Sequence, residues 1–245
     1  MFDGIKNKFQ FKFKDRIAAA NILAAALMDT IAKEEQKNNN VITVLGIPRG
    51  GVVLADVIAT KLKASYFDLV IPRKLTIPHN KEAAFGAIMS DGTVYMDDRI
   101  VRDLDIPEEY IEKEKKLQLQ EIERRYSIYV QKKSQQPFGN KINYNTSRTT
   151  ATTILVDDGA ASGATVVAAA RSVRKGLSSN SKLIIALPVA PKETVNNLLR
   201  KETDHIEVIT KPSFFSSVGQ YYQNFEPVND EKVIEIMKKQ DRDSA

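Results

Sequence analysis

The chain has 245 residues, of which 42% are hydrophobic and 27% charged, a composition typical of a globular protein with a sizeable core. It has no cysteine, so disulfides and thiolate metal sites are excluded. Its two histidines, His79 and His205, lie far apart in sequence, and a histidine metal centre is not expected. The net charge of +5 suits nucleic acid or a polyphosphate substrate, but the basic residues are dispersed, so nucleic acid is not the expected partner.

The N-terminal residues, MFDGIKNKFQFKFKDR, are charged and lack the apolar run of a signal peptide. The apolar-rich stretch that follows, IAAANILAAAL, is too short to cross a bilayer. We therefore expect a cytoplasmic protein with no membrane partner.

Short apolar strands alternate with helices in the first half of the chain. Residues 16–35 place apolar side chains at helical spacing, and the strand VITVLGI is followed by the turn PRGG, the helix VVLADVIATKLKA and the strand YFDLVIP. The segment 73–91 contains proline and glycine and is expected to be a loop, before a short strand at TVYM. A proline then opens a long helix over residues 107–133, and residues 132–150 are expected to be a polar, exposed excursion.

The same alternation continues in the second half. A buried strand at TILV precedes the loop DDGAASGAT and a helix, and the strand KLIIALPVA, the helix KETVNNLLRK and the strand IEVIT follow. Residues 211–226 are expected to be an aromatic-rich loop before the final helix DEKVIEIMKKQ. This order predicts an α/β fold with a mostly parallel central sheet and helices on both faces. Ligands of such folds bind at the carboxyl ends of the strands, where PRGG, PRK and DDGAASGAT lie.

Asp157 and Asp158 stand side by side at the end of a predicted strand. Capping of the next helix needs one such side chain, whereas the vicinal diol of a ribose offers two hydroxyls to two acceptors. The small residues that follow leave amides open to an anion at the helix N-terminus, although no lysine follows Gly163 as in a Walker A loop. The stretch therefore predicts a site for a phosphorylated ribose, and an ordinary strand-to-helix turn is the alternative for the glycines alone.

The stretch ILVDDGAASGAT resembles the 5-phosphoribosyl 1-diphosphate (PRPP) signature of type I phosphoribosyltransferases. Four further stretches resemble a subgroup of predicted phosphoribosyltransferases without an assigned substrate: FKDRIAAANILAAAL, GIPRGGVVLA, PRK followed by AFGAI, and FFSSVGQYYQNFEPVNDEKV. The resemblance covers nearly the whole chain and implies a type I phosphoribosyltransferase-like fold with a small hood. It implies one domain over residues 1–245, with a core at about 36–104 and 150–210, the long helix and polar insert at about 107–150, and a hood at about 211–245.

The resemblance assigns roles to three strand-end loops. Asp157 and Asp158 are expected to hold the ribose hydroxyls, and Arg73 and Lys74 to stabilise the diphosphate leaving group. Mg²⁺ is expected to be held mainly through PRPP and water, without dedicated protein ligands. The other implied PRPP-binding residues are Arg49, Gly50 and Gly51 for the diphosphate, and Gly159, Ala160, Ala161, Ser162, Gly163, Ala164 and Thr165 for the 5′-phosphate.

A mobile lid must exclude water from such a reaction, and residues 75–89 are the candidate. Glu82 is the only acid of this segment and could orient or deprotonate a nucleophile, but an exposed loop glutamate is an equal interpretation, and His79 is equally open. Ala161 stands where hypoxanthine-guanine members carry an aspartate, which argues against 6-oxopurine chemistry by that route. Five aromatic residues could form a hood over a base or pack in the core: Phe214, Phe215, Tyr221, Tyr222 and Phe225.

The implied function is transfer of a phosphoribosyl group from PRPP to an unidentified nitrogen base, with release of pyrophosphate. One alternative is a non-catalytic regulator on the same fold that senses PRPP or a nucleotide and could bind RNA. A second alternative is a hydrolase of PRPP-like sugars. A homodimer is expected, because the family is often dimeric.

Overall fold

The computed structural model describes residues 12–34, 41–130 and 151–243. The polar excursion predicted at 132–150 lies outside these residues. The described ranges contain, in chain order, α1 (Arg16–Glu34), β1 (Val41–Gly46), α2 (Gly50–Leu62), β2 (Tyr66–Leu69), β3 (Arg73–Ile77), β4 (Asn80–Ile88), β5 (Val94–Met96), α3 (Asp98–Asp103), α4 (Glu108–Tyr129), β6 (Ala151–Val156), α5 (Ala164–Gly176), β7 (Lys182–Val189), α6 (Lys192–Asn197), β8 (His205–Thr210) and α7 (Asp230–Asp243).

The central sheet has five parallel strands in the order β2–β1–β6–β7–β8. β1 pairs with β6 in a register that matches Val41 with Ala151 and Gly46 with Val156, so the two strands end side by side. Every residue of β6 is buried, as expected of a strand in the middle of a parallel sheet. The turn after β1 and the loop after β6 therefore leave the same edge of the sheet.

Helices cover both faces of this sheet. Ile154 and Val156 of β6 belong to the core beneath α1 and α2, whereas Leu155 between them belongs to the core beneath α5. Alternate side chains of a strand point to opposite faces, which explains why TILV reads as a continuous apolar run. The predicted α/β architecture, a mostly parallel sheet with helices on both faces, is confirmed.

The prediction of a loop at residues 73–91 is wrong, because most of this segment forms an antiparallel hairpin. β3 and β4 pair with each other, and β5 adds the third strand of a small second sheet. Gly86 lies inside β4, where a Cβ atom would come within 2.2 Å of the carbonyl oxygen of Tyr95 on β5. This glycine permits close approach of two strands and does not mark a loop.

The hairpin packs beneath the long helix α4 and the last helix. Leu75, Phe85 and Ile88 share a core with Ile122 of α4 and Val233 of α7. The helix predicted over residues 192–201 is divided into α6 and one turn of 3₁₀ helix at Leu199–Lys201. Among the described residues, no helix combines the length and apolarity needed to cross a membrane.

Candidate functional site

A cleft of about 560 Å³ opens at the carboxyl ends of β1 and β6. Its walls come from the turn after β1, the loop after β6, the β3–β4 hairpin, one residue of α4 and the segment 218–228. Basic side chains outnumber acidic ones in the lining, which favours an anionic ligand. The charged lining residues are Arg16, Arg49, Arg73, Lys74, Lys81, Arg125, Asp157 and Asp158.

The PRGG turn places the start of α2 directly against the acidic pair. A Cβ atom on Gly50 would lie 1.8 Å from Oδ2 of Asp158, so only glycine fits this position without movement of the carboxylate. Gly51 lies behind the cleft, where a Cβ atom would come within 2.7 Å of the Val156 carbonyl oxygen. Arg49 lines the cleft and approaches Asp230 of α7, with Nη1 3.7 Å from Oδ1.

The two adjacent aspartates have different partners. Oδ1 of Asp157 accepts the amide hydrogen of Asp158 at 2.8 Å, and Oδ2 of Asp158 lies 2.9 Å from Nε of Arg16. Burial, followed by the charge of Asp158, raises the pKa of Asp157 well above its ordinary value. Burial also raises the pKa of Asp158, but Arg16 opposes that shift. The loop thus holds two carboxyl groups in contact, and α1 supplies one cation to them.

The loop after the acidic pair ends at the N-terminus of α5. Gly163 precedes the helix with φ of 81°, a left-handed conformation that favours glycine. In the described part of the chain, the amides of Ala161, Ser162, Gly163 and Thr165 donate to no protein acceptor. Free amides at the N-terminus of a 13-residue helix form a site that favours an anion.

The hairpin brings further positive charge to the opposite wall. Nε of Arg73 donates to Oε1 of Gln118 on α4 at 2.9 Å, and Nε2 of Gln118 donates to Glu114 at 3.0 Å. Burial, followed by the nearby charge of Arg125, lowers the pKa of Arg73. Lys74 also lines the cleft. Two guanidinium groups held near each other stabilise an anion that lies between them.

Glu82 and His79 are not among the residues that line the cleft. Glu82 is exposed on β4, and its amide donates to Oδ1 of Asn80 at 3.1 Å. His79 is exposed in the hairpin turn and adopts a φ of 63°.

The aromatic residues of the predicted hood divide between the two interpretations. Tyr221 and Tyr222 are buried in the core beneath α1, whereas Phe214 is 91% exposed. Phe215 stacks on Tyr221. Phe225 lines the cleft, and its ring lies 3.8 Å from the guanidinium carbon of Arg16.

The chain has relatives of known name and known structure. No family model matches it. Proteins from two strains of Mycobacterium tuberculosis, each named "Putative phosphoribosyl transferase", are 31% identical over 233 residues, which are 95% of this chain and 48% of theirs. The crystal structure of TT1426 from Thermus thermophilus is 30% identical and matches with a TM-score of 0.67 over 94% of this chain and 99% of that chain. Over nearly its whole length, this chain is thus similar to proteins that are named as phosphoribosyl transferases. It spans about half the length of the Mycobacterium relatives.

Three cations of this cleft were not predicted from the sequence. Arg16 opens α1 and is 142 positions from Asp158, so no local pattern joins them. Arg125 lies on α4, whose mixed charges are typical of a solvated helix, so the sequence did not indicate that Arg125 lines the cleft. Lys81 lies within the candidate lid. This segment follows Arg73 and Lys74, and that proximity was the one sequence signal that could have placed Lys81 near the cleft.

Proposed function

We propose that this protein transfers the 5-phosphoribosyl group of PRPP to a nitrogen base and releases pyrophosphate. One observation carries the proposal: a single cleft is lined by a half-buried pair of carboxyl groups, a helix N-terminus with free amides, and six basic side chains. A sugar diol, a phosphate monoester and a diphosphate are the three groups of PRPP that these features would bind.

In the proposed complex, each part of PRPP would have a distinct set of contacts. The 5′-phosphate would accept hydrogen bonds from the amides of residues 161–165, and Asp157 and Asp158 would accept them from the ribose hydroxyls. The diphosphate would lie near Arg49 and Gly50 and extend toward Arg73 and Lys74. The cationic lining offsets the charge of a ligand that carries several negative charges.

The reaction breaks the bond between the anomeric carbon and the diphosphate oxygen and forms a bond from that carbon to the base nitrogen. The ring carbon gains oxocarbenium character, and the departing diphosphate keeps the bonding electron pair. Cations that face the leaving group before the reaction begins stabilise this charge, which is often the largest contribution to catalysis. The proton of the nitrogen passes to solvent or to Glu82 if the hairpin tip closes over the cleft.

The hairpin tip is the part of the candidate lid that could move. Leu75 and residues 85–89 are buried in the stem, whereas residues 79–82 at the tip are exposed. Closure of the tip over the cleft would exclude water from the bound ligand and would leave the buried stem in place.

Mg²⁺ is the proposed cofactor. The ion would be held mainly through the diphosphate and water. When bound, Mg²⁺ would neutralise part of the diphosphate charge.

Binding of PRPP is tested by thermal unfolding. PRPP with Mg²⁺ should raise the melting temperature, because a PRPP concentration of one hundred times Kd adds about 2.7 kcal/mol to the free energy of unfolding. The double variant Asp157→Asn, Asp158→Asn should abolish this shift. The matched control replaces another adjacent pair, Asp97 and Asp98 at the start of α3, which does not line the cleft. A shift that persists in the first double variant contradicts the proposed site.

Turnover separates the proposed function from its alternatives. Pyrophosphate should appear only when PRPP is combined with the correct member of a panel of nitrogen bases. Its release without any base would support a hydrolase. A regulator is the second candidate, because within the described lining Asp157 and Asp158 are the only carboxylates and no histidine is present. Tight PRPP binding without turnover of any base would support that candidate, and salt-dependent RNA binding would extend it.

A further inference from the structure

Arg16 joins the acidic pair to the C-terminal segment, residues 221–226. Its side chain is only 11% exposed, and its guanidinium makes three contacts. Nε lies 2.9 Å from Oδ2 of Asp158, Nη1 donates to the carbonyl oxygen of Glu226 at 2.7 Å, and the ring of Phe225 lies beneath the group. One side chain therefore fixes a carboxylate at the predicted sugar site and an aromatic wall of the same cleft.

The position of Arg16 is itself set by the fold. Oδ1 of Asp15 accepts the amide hydrogen of Ala18 at 2.8 Å and so caps α1 immediately before Arg16. The amide of Phe13 donates to the carbonyl oxygen of Tyr221 at 2.8 Å, and the chain before α1 thereby pairs with the C-terminal segment. The guanidinium is consequently presented to Asp158 from a rigid support.

The charge of Arg16 matters because Asp158 is half-buried beside a second carboxyl group. In the described structure, three titratable groups face Asp158: Arg16 from α1, Asp157 from its own loop, and Tyr222, whose hydroxyl donates to the Asp158 carbonyl oxygen at 2.7 Å. Burial raises the pKa of Tyr222, so this phenol stays neutral. Arg16 is therefore the cation that opposes protonation of Asp158.

We propose that Arg16 is a positioning residue of the sugar site: it holds Asp158 as an oriented anion and couples it to Phe225. This inference rests on the proposed function. Arginine suits the role because its planar fork bonds two acceptors in fixed directions while its face lies on an aromatic ring. Lysine could supply the charge but could not make these contacts together.

The test measures binding of ribose 5-phosphate by calorimetry across pH about 5 to 9, which lies above the ordinary pKa of a carboxyl group. Arg16→Gln should weaken binding by about tenfold at neutral pH, and the loss should shrink as rising pH ionises Asp158. Arg16→Lys should keep the wild-type pH profile with weaker binding at every pH. The matched control is Arg171→Gln, which removes another arginine–carboxylate pair, with Glu202, away from the cleft.

The inference is overturned if Arg16→Gln does not weaken binding of ribose 5-phosphate, or weakens it equally at every pH. A purely structural role of Arg16 would leave the pH profile of binding unchanged. If the wild-type protein itself does not bind ribose 5-phosphate or PRPP, the proposed function fails. The role of Arg16 is then tested without ligand by ¹³C NMR titration of the aspartate carboxyls. The pKa of Asp158 should rise in Arg16→Gln, and an unchanged pKa overturns the inference. Arg16→Lys, titrated in the same way and expected to leave the pKa of Asp158 close to that of the wild-type protein, serves if the glutamine variant does not fold.

Discussion

At the scale of single residues, the two neighbouring aspartates differ in what the fold does to their charge. Asp158 is paired with Arg16, whereas Asp157 has the amide of Asp158 as its hydrogen-bond donor and a carboxyl group as its neighbour. A buried carboxyl group without its own cation is costly to ionise. Such a group is compatible with a ligand-binding role, since sites for ligands often retain local instability.

Asp157→Asn should stabilise the protein at alkaline pH. Because folding raises the pKa of Asp157, its contribution to stability is present below the unfolded pKa of about 3.9 and is lost as pH rises through the folded value. Asparagine stays neutral and can keep the hydrogen bond from the Asp158 amide. The free energy of unfolding in urea should rise by about 0.5–2 kcal/mol at pH about 8, and the gain should shrink toward pH about 4.

Asp158→Asn is the comparison for this prediction. It leaves Arg16 largely buried without its carboxylate and should cost about 1–3 kcal/mol at the same alkaline pH. Equal effects of the two substitutions would show that the aspartates share one environment, contrary to the contacts described above.

At the scale of secondary structure elements, the sequence predicts the central sheet well and the hairpin poorly. The strands of the parallel sheet are buried on both faces, so β6 and β7 appear in the sequence as uninterrupted apolar runs. β3 and β4 have one polar end, two register shifts and an internal glycine, which together remove the alternation that marks a strand. Their buried side chains pack against α4, α5 and α7, and no local pattern records that packing.

The same distinction applies to the site. The acidic pair and the glycine loop are contiguous, so their chemistry could be predicted from the sequence. Arg16 and Arg125 reach the cleft only through tertiary packing, and each is the kind of helix cation that is usually solvated. Local motifs thus identified the strand-end loops, whereas the sequence alone could not identify Arg16 and Arg125 as side chains of the cleft.

The support of the hairpin by α4 leads to a prediction about Gln118. This buried amide links Arg73 to Glu114, and Glu114 in turn accepts hydrogen bonds from the amide and hydroxyl of Thr76. Gln118→Leu should cost about 1–3 kcal/mol, because it leaves Arg73 and Glu114 with unsatisfied hydrogen-bonding groups. It should also weaken pyrophosphate binding severalfold, measured by calorimetry, since Arg73 loses the partner that orients it.

Gln120→Leu is the matched control, because Gln120 is exposed on the same helix. It should change neither the unfolding free energy nor pyrophosphate binding beyond about 0.5 kcal/mol. A Gln118 variant that behaves like the Gln120 variant would contradict the role assigned to α4.

At the scale of the whole molecule, the segment before α1 and the C-terminal segment meet behind the acidic pair. Phe13 forms a parallel bridge with Tyr222, and the amide of Gln223 donates to the carbonyl oxygen of Phe13 at 2.8 Å. Tyr222 then reaches the backbone of Asp158 through its hydroxyl. Residues that are about two hundred positions apart therefore support one loop of the cleft, which ties the integrity of the site to that of the whole chain.

Phe13→Ala tests this dependence. Phe13 is 1% exposed, and its ring centroid lies 5.4 Å from that of Tyr222, so its truncation should cost about 3–5 kcal/mol in urea unfolding. Phe214→Ala removes an equal side chain that is 91% exposed and should cost less than about 0.5 kcal/mol. Because Phe13 supports Tyr222, its variant should also lose affinity for ribose 5-phosphate under conditions where it remains folded. Retained affinity in a destabilised but folded Phe13 variant would show that the paired segments stabilise the fold without positioning the sugar site.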